Sequence, residues 1–394
     1  MTKYDSKTMK QIYDQSQWQQ SQNISPLKVL DAWALKNKYT GWNNFVDENK
    51  SKTDVEKTKN EILNEVRKKG VSDAQLYTYV GEQYIKGANP TFLNPEHPPL
   101  GKYLIGTSIT LFQNEHIILL ICGFISLLVI YLIIFTVTNN YLSSAIGVFL
   151  ASIHSLFIDQ LIHGPQLELF QLMFFLLLLL FLVLFEKKKS VLYLLLTGIT
   201  YGFLLSTKTV STYLPLFFVW LFIVSFIAKN FKIKQLVILH ILGIGIFIMT
   251  YFRFFILGGT LRQFLGVQKY IVVFYKQSGI NIAEFAGNYL RLIFTGSWKF
   301  WSENSPVSHY SEWSILWPLL FILCFIIMFL LFNKRKKSAY LTFEKIVLTF
   351  IILYNGFLFI VPMFPRYLLL LFIPIILFIS ICSKRFLTYE KNKK

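Results

Sequence analysis

The groups in this sequence that could do chemistry at the edge of a lipid phase are a few carboxylates, imidazoles and cations. Most of those with polar neighbours stand in one stretch, Val71 to Ser108, the last substantial polar segment before the chain turns apolar. Asp73 belongs to Ser72-Asp73-Ala74-Gln75, an S-x-x-Q capping box that predicts a helix running through Leu76, Tyr77, Val80 and Tyr84 until Gly87 stops it. The Asp73 carboxylate then sits at a helix mouth. Asn94-Pro95-Glu96-His97-Pro98-Pro99 is excluded from a helix interior, because the prolines lack donors and push their preceding residues to extended geometry; a new helix can open at Leu100.

A second set is spread along the apolar part of the chain. Asp159, His163 and Glu168 fall close together between two apolar runs, with Glu168 just inside the next one. A carboxylate at membrane depth is costly, so it is functional or paired; the alternative for Glu168 is a helix cap worth roughly 0.3–1 kcal/mol. Lys208 interrupts an apolar hairpin at Ser206-Thr207-Lys208-Thr209, where it either neutralises phosphate or snorkels to the interface. Arg366 follows Pro365 at the head of a long apolar helix. Its planar fork suits phosphate, and anchoring a helix end is the competing role. Aromatic and basic residues alternate around Arg262, in the manner of a helix lying in the headgroup plane.

These residues carry a resemblance. Asp73, Tyr77 four positions on, Gly87 and His97-Pro98-Pro99-Leu100-Gly101-Lys102 resemble the first extracytoplasmic loop of GT-C glycosyltransferases, in the protein O-mannosyltransferase and aminoarabinose-transferase branches. The sequence departs from that pattern at Ala74, where the family usually has Glu. The resemblance implies that Asp73 is the general base activating the acceptor, with Glu168 as second acid and Asp159 in reserve. It further implies that Arg366 holds a donor phosphate with Lys208, Lys102 or Arg262 assisting, and that Tyr77, His97 and His163 belong to the substrate loops. No metal and no other cofactor is expected, as in the lipid-phosphate-sugar branches.

The elements that must position these groups follow from composition. A chain of 394 residues that is 54% hydrophobic with mean hydropathy +0.49 places much of its surface in lipid. Apolar runs alternate with polar breaks at the period of spans of roughly 20 residues. We read them near 116–137, 141–157, 167–185, 190–206, 213–228, 235–256, 313–332, 344–364 and 366–382, an all-α bundle of about nine spans. Lys+Arg outnumber Asp+Glu by 39 to 21, and the excess lies in the breaks 186–189, 229–234 and 333–337 and in the tail 383–394. The positive-inside rule makes these cytoplasmic and leaves residues 1–100 and the loop 257–312 outside. That loop-charge origin argues against nucleic acid as a partner.

Residues 1–99 read as a polar extracytoplasmic region ending in the first catalytic loop, and 100–394 as the bundle. Within the former, 47–69 is predicted as a solvated helix. Trp298, Trp301, Trp313 and Trp317 read as an interfacial belt around the segment 302–311. Cys122, Cys324 and Cys382 lie in apolar runs with no framework spacing. No hydrophobic segment precedes Leu100, and the family's first membrane helix has no counterpart here, so the sequence is expected to start downstream of the true start.

The expected function is transfer of a sugar, with inversion, from a polyprenyl-phosphate donor to an extracytoplasmic acceptor that is protein, lipid or glycan, by a multi-pass protein of the cell membrane. The alternatives are a transporter or flippase of a lipid-linked or anionic solute, and a truncated inactive homologue.

Overall fold

A computed structural model describes residues 72–208, 210–276, 286–299, 306–333 and 342–391, with Lys7 and Lys10. The predicted helix at 47–69 and Trp301 lie outside the described residues. In chain order the helices are α1 (Asp73–Ile85), α2 (Leu100–Phe112), α3 (Ile117–Thr138), α4 (Tyr141–Ser152), α5 (Ser155–Ile162), α6 (Leu167–Lys188), α7 (Val191–Leu205) and α8 (Val210–Ile227). They continue as α9 (Ile233–Met249), α10 (Phe252–Ile256), α11 (Leu261–Lys276), α12 (Asn288–Thr295), α13 (Leu316–Asn333), α14 (Thr342–Phe359) and α15 (Leu369–Lys391). Two short strands, β1 (Ser297–Lys299) and β2 (Val307–His309), pair antiparallel with Trp298 opposite Ser308, and a 3-10 turn, Pro365–Leu368, leads into α15.

The chain divides into two compact units, one of residues 1–118, 164–167 and 248–278, the other of 119–163, 168–247 and 279–394. In the first unit α1 starts on the predicted capping box, with both reciprocal hydrogen bonds formed between Ser72 and Gln75. It ends at Lys86, and Gly87 takes φ +99°, a left-handed turn that suits glycine. Arg253 secures this end by donating from Nε to the Gly87 carbonyl at 3.0 Å. Leu76, Tyr77, Val80 and Tyr84 are buried, as their spacing predicts. Helices α1 and α2 cross at two glycines: a Cβ on Gly81 would meet the Lys102 carbonyl at 2.5 Å, and one on Gly106 would run into the Gly81 carbonyl. Small residues allow this backbone-on-backbone approach. Gly106→Ala should therefore cost about 1–3 kcal/mol as the helices part, read as a lower Tm of the detergent-purified protein. An unchanged Tm would mean that the crossing is looser than described.

The second unit holds the apolar bundle. Helices α3, α6 and α14 and the segment Pro365–Ser383 are long and apolar enough to cross a bilayer. Helices α4 and α5 pass together as a pair bent by 57°, and Val191–Leu205, Tyr213–Ile227, Ile233–Met249 and Leu316–Leu330 are shorter apolar helices. The chain is a helical polytopic membrane protein, and these elements follow the apolar runs read from the sequence. The most enclosed are α6 and the 365–383 segment, each 83% buried within the protein, against 44% for α3. Large exposed side chains such as Phe124 (69%) are what a lipid-facing surface requires.

Three expectations need correction. The run 141–157 is broken at Ile153-His154, where His154 turns extended (ψ 122°) and caps a new helix. The run 235–256 stops at Met249, and the turn after it swings Tyr251 onto the Phe264 ring, 5.0 Å away. The short β1–β2 pair between α12 and α13 is a local feature of an otherwise helical chain. Trp317 is fully buried rather than interfacial, because its indole N–H reaches the Ser155 hydroxyl at 2.9 Å and its ring packs on Tyr310 and Phe372.

Candidate functional site

In the first unit the candidate residues are carried by the loop between α1 and α2, which is tied to both helices by its own polar groups. The Tyr84 hydroxyl donates to the Leu93 carbonyl at 2.6 Å, and Asn89 Oδ1 accepts from the Thr91 backbone at 3.0 Å and from its hydroxyl at 2.9 Å. Asn94, at φ +49°, turns the chain toward α2. Lys102, expected to assist at a phosphate, is instead fully buried: Nζ donates to Asn94 O (2.6 Å), Asn94 Oδ1 (3.1 Å) and His97 O (2.7 Å). Three acceptors match the three protons of an ammonium, so this side chain holds the loop closed. Tyr77 meets the His97 ring edge-on at 5.9 Å, fixing the imidazole against α1.

Asp73 is part-exposed in the first turn of α1. The next side chain, Ala74, is buried, and a Cβ on Gly164 would stand 3.1 Å from its methyl group. The turn at Gly164 thus lies over residue 74, and a Glu side chain there would have to displace it.

Glu96 is a group that sequence reasoning passed over. Burial pushes its carboxyl up to about 7, Lys102 opposes the shift and the Asp73 charge adds to it. The same burial lowers Lys102 to about 7, with Glu96 pulling it back up. For Glu96 the folded value lies above the ordinary carboxylate value, so its contribution to stability is present at low pH and is lost as pH rises from about 4.5 to 7. For Lys102 the folded value is depressed, so its contribution is present at high pH and is lost as pH falls through about 7. Thermal stability should therefore pass through a minimum near pH 7, and Glu96→Gln should remove the acid-side slope. A flat profile in the parent protein would refute the coupling.

In the second unit three residues read separately from the sequence converge. Glu168, in the first turn of α6, accepts from Arg366 Nε at 2.7 Å and pairs with Lys208 Nζ. The Glu168 and Lys208 side chains are 3% and 5% exposed and that of Arg366 is 18% exposed, so the cluster is closed except along the guanidinium. Lys208 Nζ also lies 3.8 Å from the Tyr367 ring centroid, and Arg366 Cζ lies 4.3 Å from that of Phe364. Cations over ring faces gain electrostatic support where water is scarce. Lys208 is therefore not snorkelling, and Glu168 does more than cap a helix. The turn carrying Arg366 is itself positioned: Pro365 opens it, and the Tyr354 hydroxyl donates to the Tyr367 carbonyl at 2.9 Å.

Asp159 and His163 pair at one end of α5, Oδ1 to Nδ1 at 2.9 Å, and Gln160 Nε2 donates to the other Asp159 oxygen at 2.9 Å. Helix α5 packs on the Pro365–Leu368 turn. Arg262 stands exposed on α11, opposite a face where Phe264, Val267 and Ile271 are buried.

Residues 96–252 match the family model for dolichyl-phosphate-mannose-protein mannosyltransferase. No curated protein matches the sequence. Among solved structures, ArnT from Cupriavidus metallidurans bound to undecaprenyl phosphate is similar at 15% identity and TM-score 0.50, over 79% of this chain and 56% of that one. Its apo state is similar at 14% identity and TM-score 0.49, over 81% and 55%. The Archaeoglobus fulgidus oligosaccharyltransferase in complex with zinc and sulfate is similar at 13% identity and TM-score 0.47, over 80% and 45%. This chain thus spans about 56% of the length of the ArnT chain it matches, and at that identity the likeness speaks for the fold alone. Residues 96–252 are thus similar to the dolichyl-phosphate-mannose-protein mannosyltransferase family, and the chain has a fold like that of ArnT.

Proposed function

We propose that the protein transfers a sugar from a polyprenyl-phosphate donor to an acceptor hydroxyl or amine at the extracytoplasmic face. The observation that carries this reading is the convergence of Lys208 and Arg366 on Glu168 at the head of α6, one of the two most enclosed spans. Arg366 meets Glu168 through Nε, and its planar guanidinium fork is a geometry suited to two phosphate oxygens. Undecaprenyl phosphate, present in the ArnT structure, supports a lipid phosphate as the ligand class.

In this reading a general base, the role proposed for Asp73 on its motif alone, takes the acceptor's proton as the acceptor attacks the anomeric carbon, and the bond from that carbon to the phosphate oxygen breaks on the opposite side. The configuration inverts. The departing polyprenyl phosphate gains a negative charge, which Arg366 and Lys208 stabilise. Glu168, held between two cations, serves to aim them, and Asp159 with His163 is kept as a second acid–imidazole pair for the acceptor. Arg262, on the exposed face of α11, attracts the donor headgroup. No metal enters the scheme.

Purified protein given polyprenyl-phosphate-linked sugars and a mixed acceptor pool should release polyprenyl phosphate. Donor binding without release would favour a transporter or an inactive homologue and would end the enzyme reading.

A further inference from the structure

Gln171 lies on α6 three residues beyond Glu168, on the same helix face and one turn deeper. Its side chain is fully buried, and neither its Oε1 nor its Nε2 has a hydrogen-bond partner. Phe170 and Leu172, before and after it in sequence, are also fully buried, so this turn of α6 is enclosed by protein on every side. A primary amide left unpaired in a protein interior is unfavourable, and a Leu of similar size would carry no such penalty. Gln160 differs, since its Nε2 is used by Asp159.

We propose that Gln171 is a ligand-binding residue of the same site and pairs with a sugar hydroxyl of the donor. The chemistry selects the partner. An amide offers a donor and an acceptor together, and a hydroxyl answers both; a phosphate oxygen only accepts, and an isoprenoid chain does neither. The i, i+3 spacing sets the Gln171 and Glu168 Cβ atoms about 5–6 Å apart, roughly the distance from a phosphate to the hydroxyls of the sugar it carries. This inference rests on the reading of Arg366 and Lys208 as the phosphate clamp.

The test measures binding of two probes to the purified full chain: undecaprenyl phosphate, and undecaprenyl phosphate carrying mannose, glucose or arabinose. Gln171→Leu and Gln171→Met should bind the bare lipid phosphate within about twofold of the parent. Both should bind the best sugar-bearing lipid about tenfold more weakly, the loss of one buried hydrogen bond. A deoxy analogue lacking the paired hydroxyl should bind parent and variants alike. Equal losses for both probes, or no loss for either, would overturn the proposal. If the parent protein bound no undecaprenyl phosphate, the clamp reading itself would fail and this inference with it.

Discussion

Asp73→Asn is expected to lower the rate of sugar transfer by about 100- to 10,000-fold, the range for removing a positioned general base. Asn preserves size and shape, and the hydrogen bonds that start α1 belong to Ser72 and Gln75, so the helix and its loop should survive. The loss at the helix terminus itself is small, about 0.3–1 kcal/mol from the missing charge. Donor binding should change little, because the phosphate clamp draws on other residues, so the effect should appear in kcat rather than KM. A secondary sign is available: the Asp73 charge helps to hold Glu96 up, so the variant should titrate Glu96 at lower pH. Parental turnover in Asp73→Asn would remove Asp73 from the mechanism.

Glu168→Gln is the second large effect, and it should appear in stability before activity. The substitution leaves Lys208 and Arg366 without the carboxylate that both now meet, in a place where the lysine side chain is 5% exposed. Breaking a buried ion pair by removing one partner costs about 3–5 kcal/mol, because the remaining charge keeps its desolvation penalty. Lys208→Met alone should be milder, since Glu168 keeps its bond to Arg366. Glu168→Gln combined with Lys208→Met should recover part of the loss, because one of the two stranded cations is gone. The measurement is Tm across the three variants. A double variant no more stable than Glu168→Gln would show that the two cations are not coupled through this carboxylate.

How much of this was legible beforehand depends on distance along the chain. Both limits of α1, the opening of α2 at Leu100 and the positions of the apolar helices are set by neighbours within a turn or two. Capping boxes, proline pairs and hydropathy report those relations directly. The types of Glu168, Lys208 and Arg366 marked each as unusual in an apolar setting. Their meeting was hidden, because 40 residues separate Glu168 from Lys208 and 198 separate it from Arg366. Lys102 misled in the same way: its motif pointed to phosphate, while the fold closed Asn94 and His97 over its ammonium.

The sequence by itself determined a bundle of apolar helices, a capped polar helix ahead of it and a short set of ionisable residues with candidate roles. The tertiary structure alone decided which of those residues within a unit share a charge, which are enclosed and which buried amide has no partner. Local signals act through backbone geometry over a few residues, whereas ion pairing and burial are settled only when distant helices pack and exclude water.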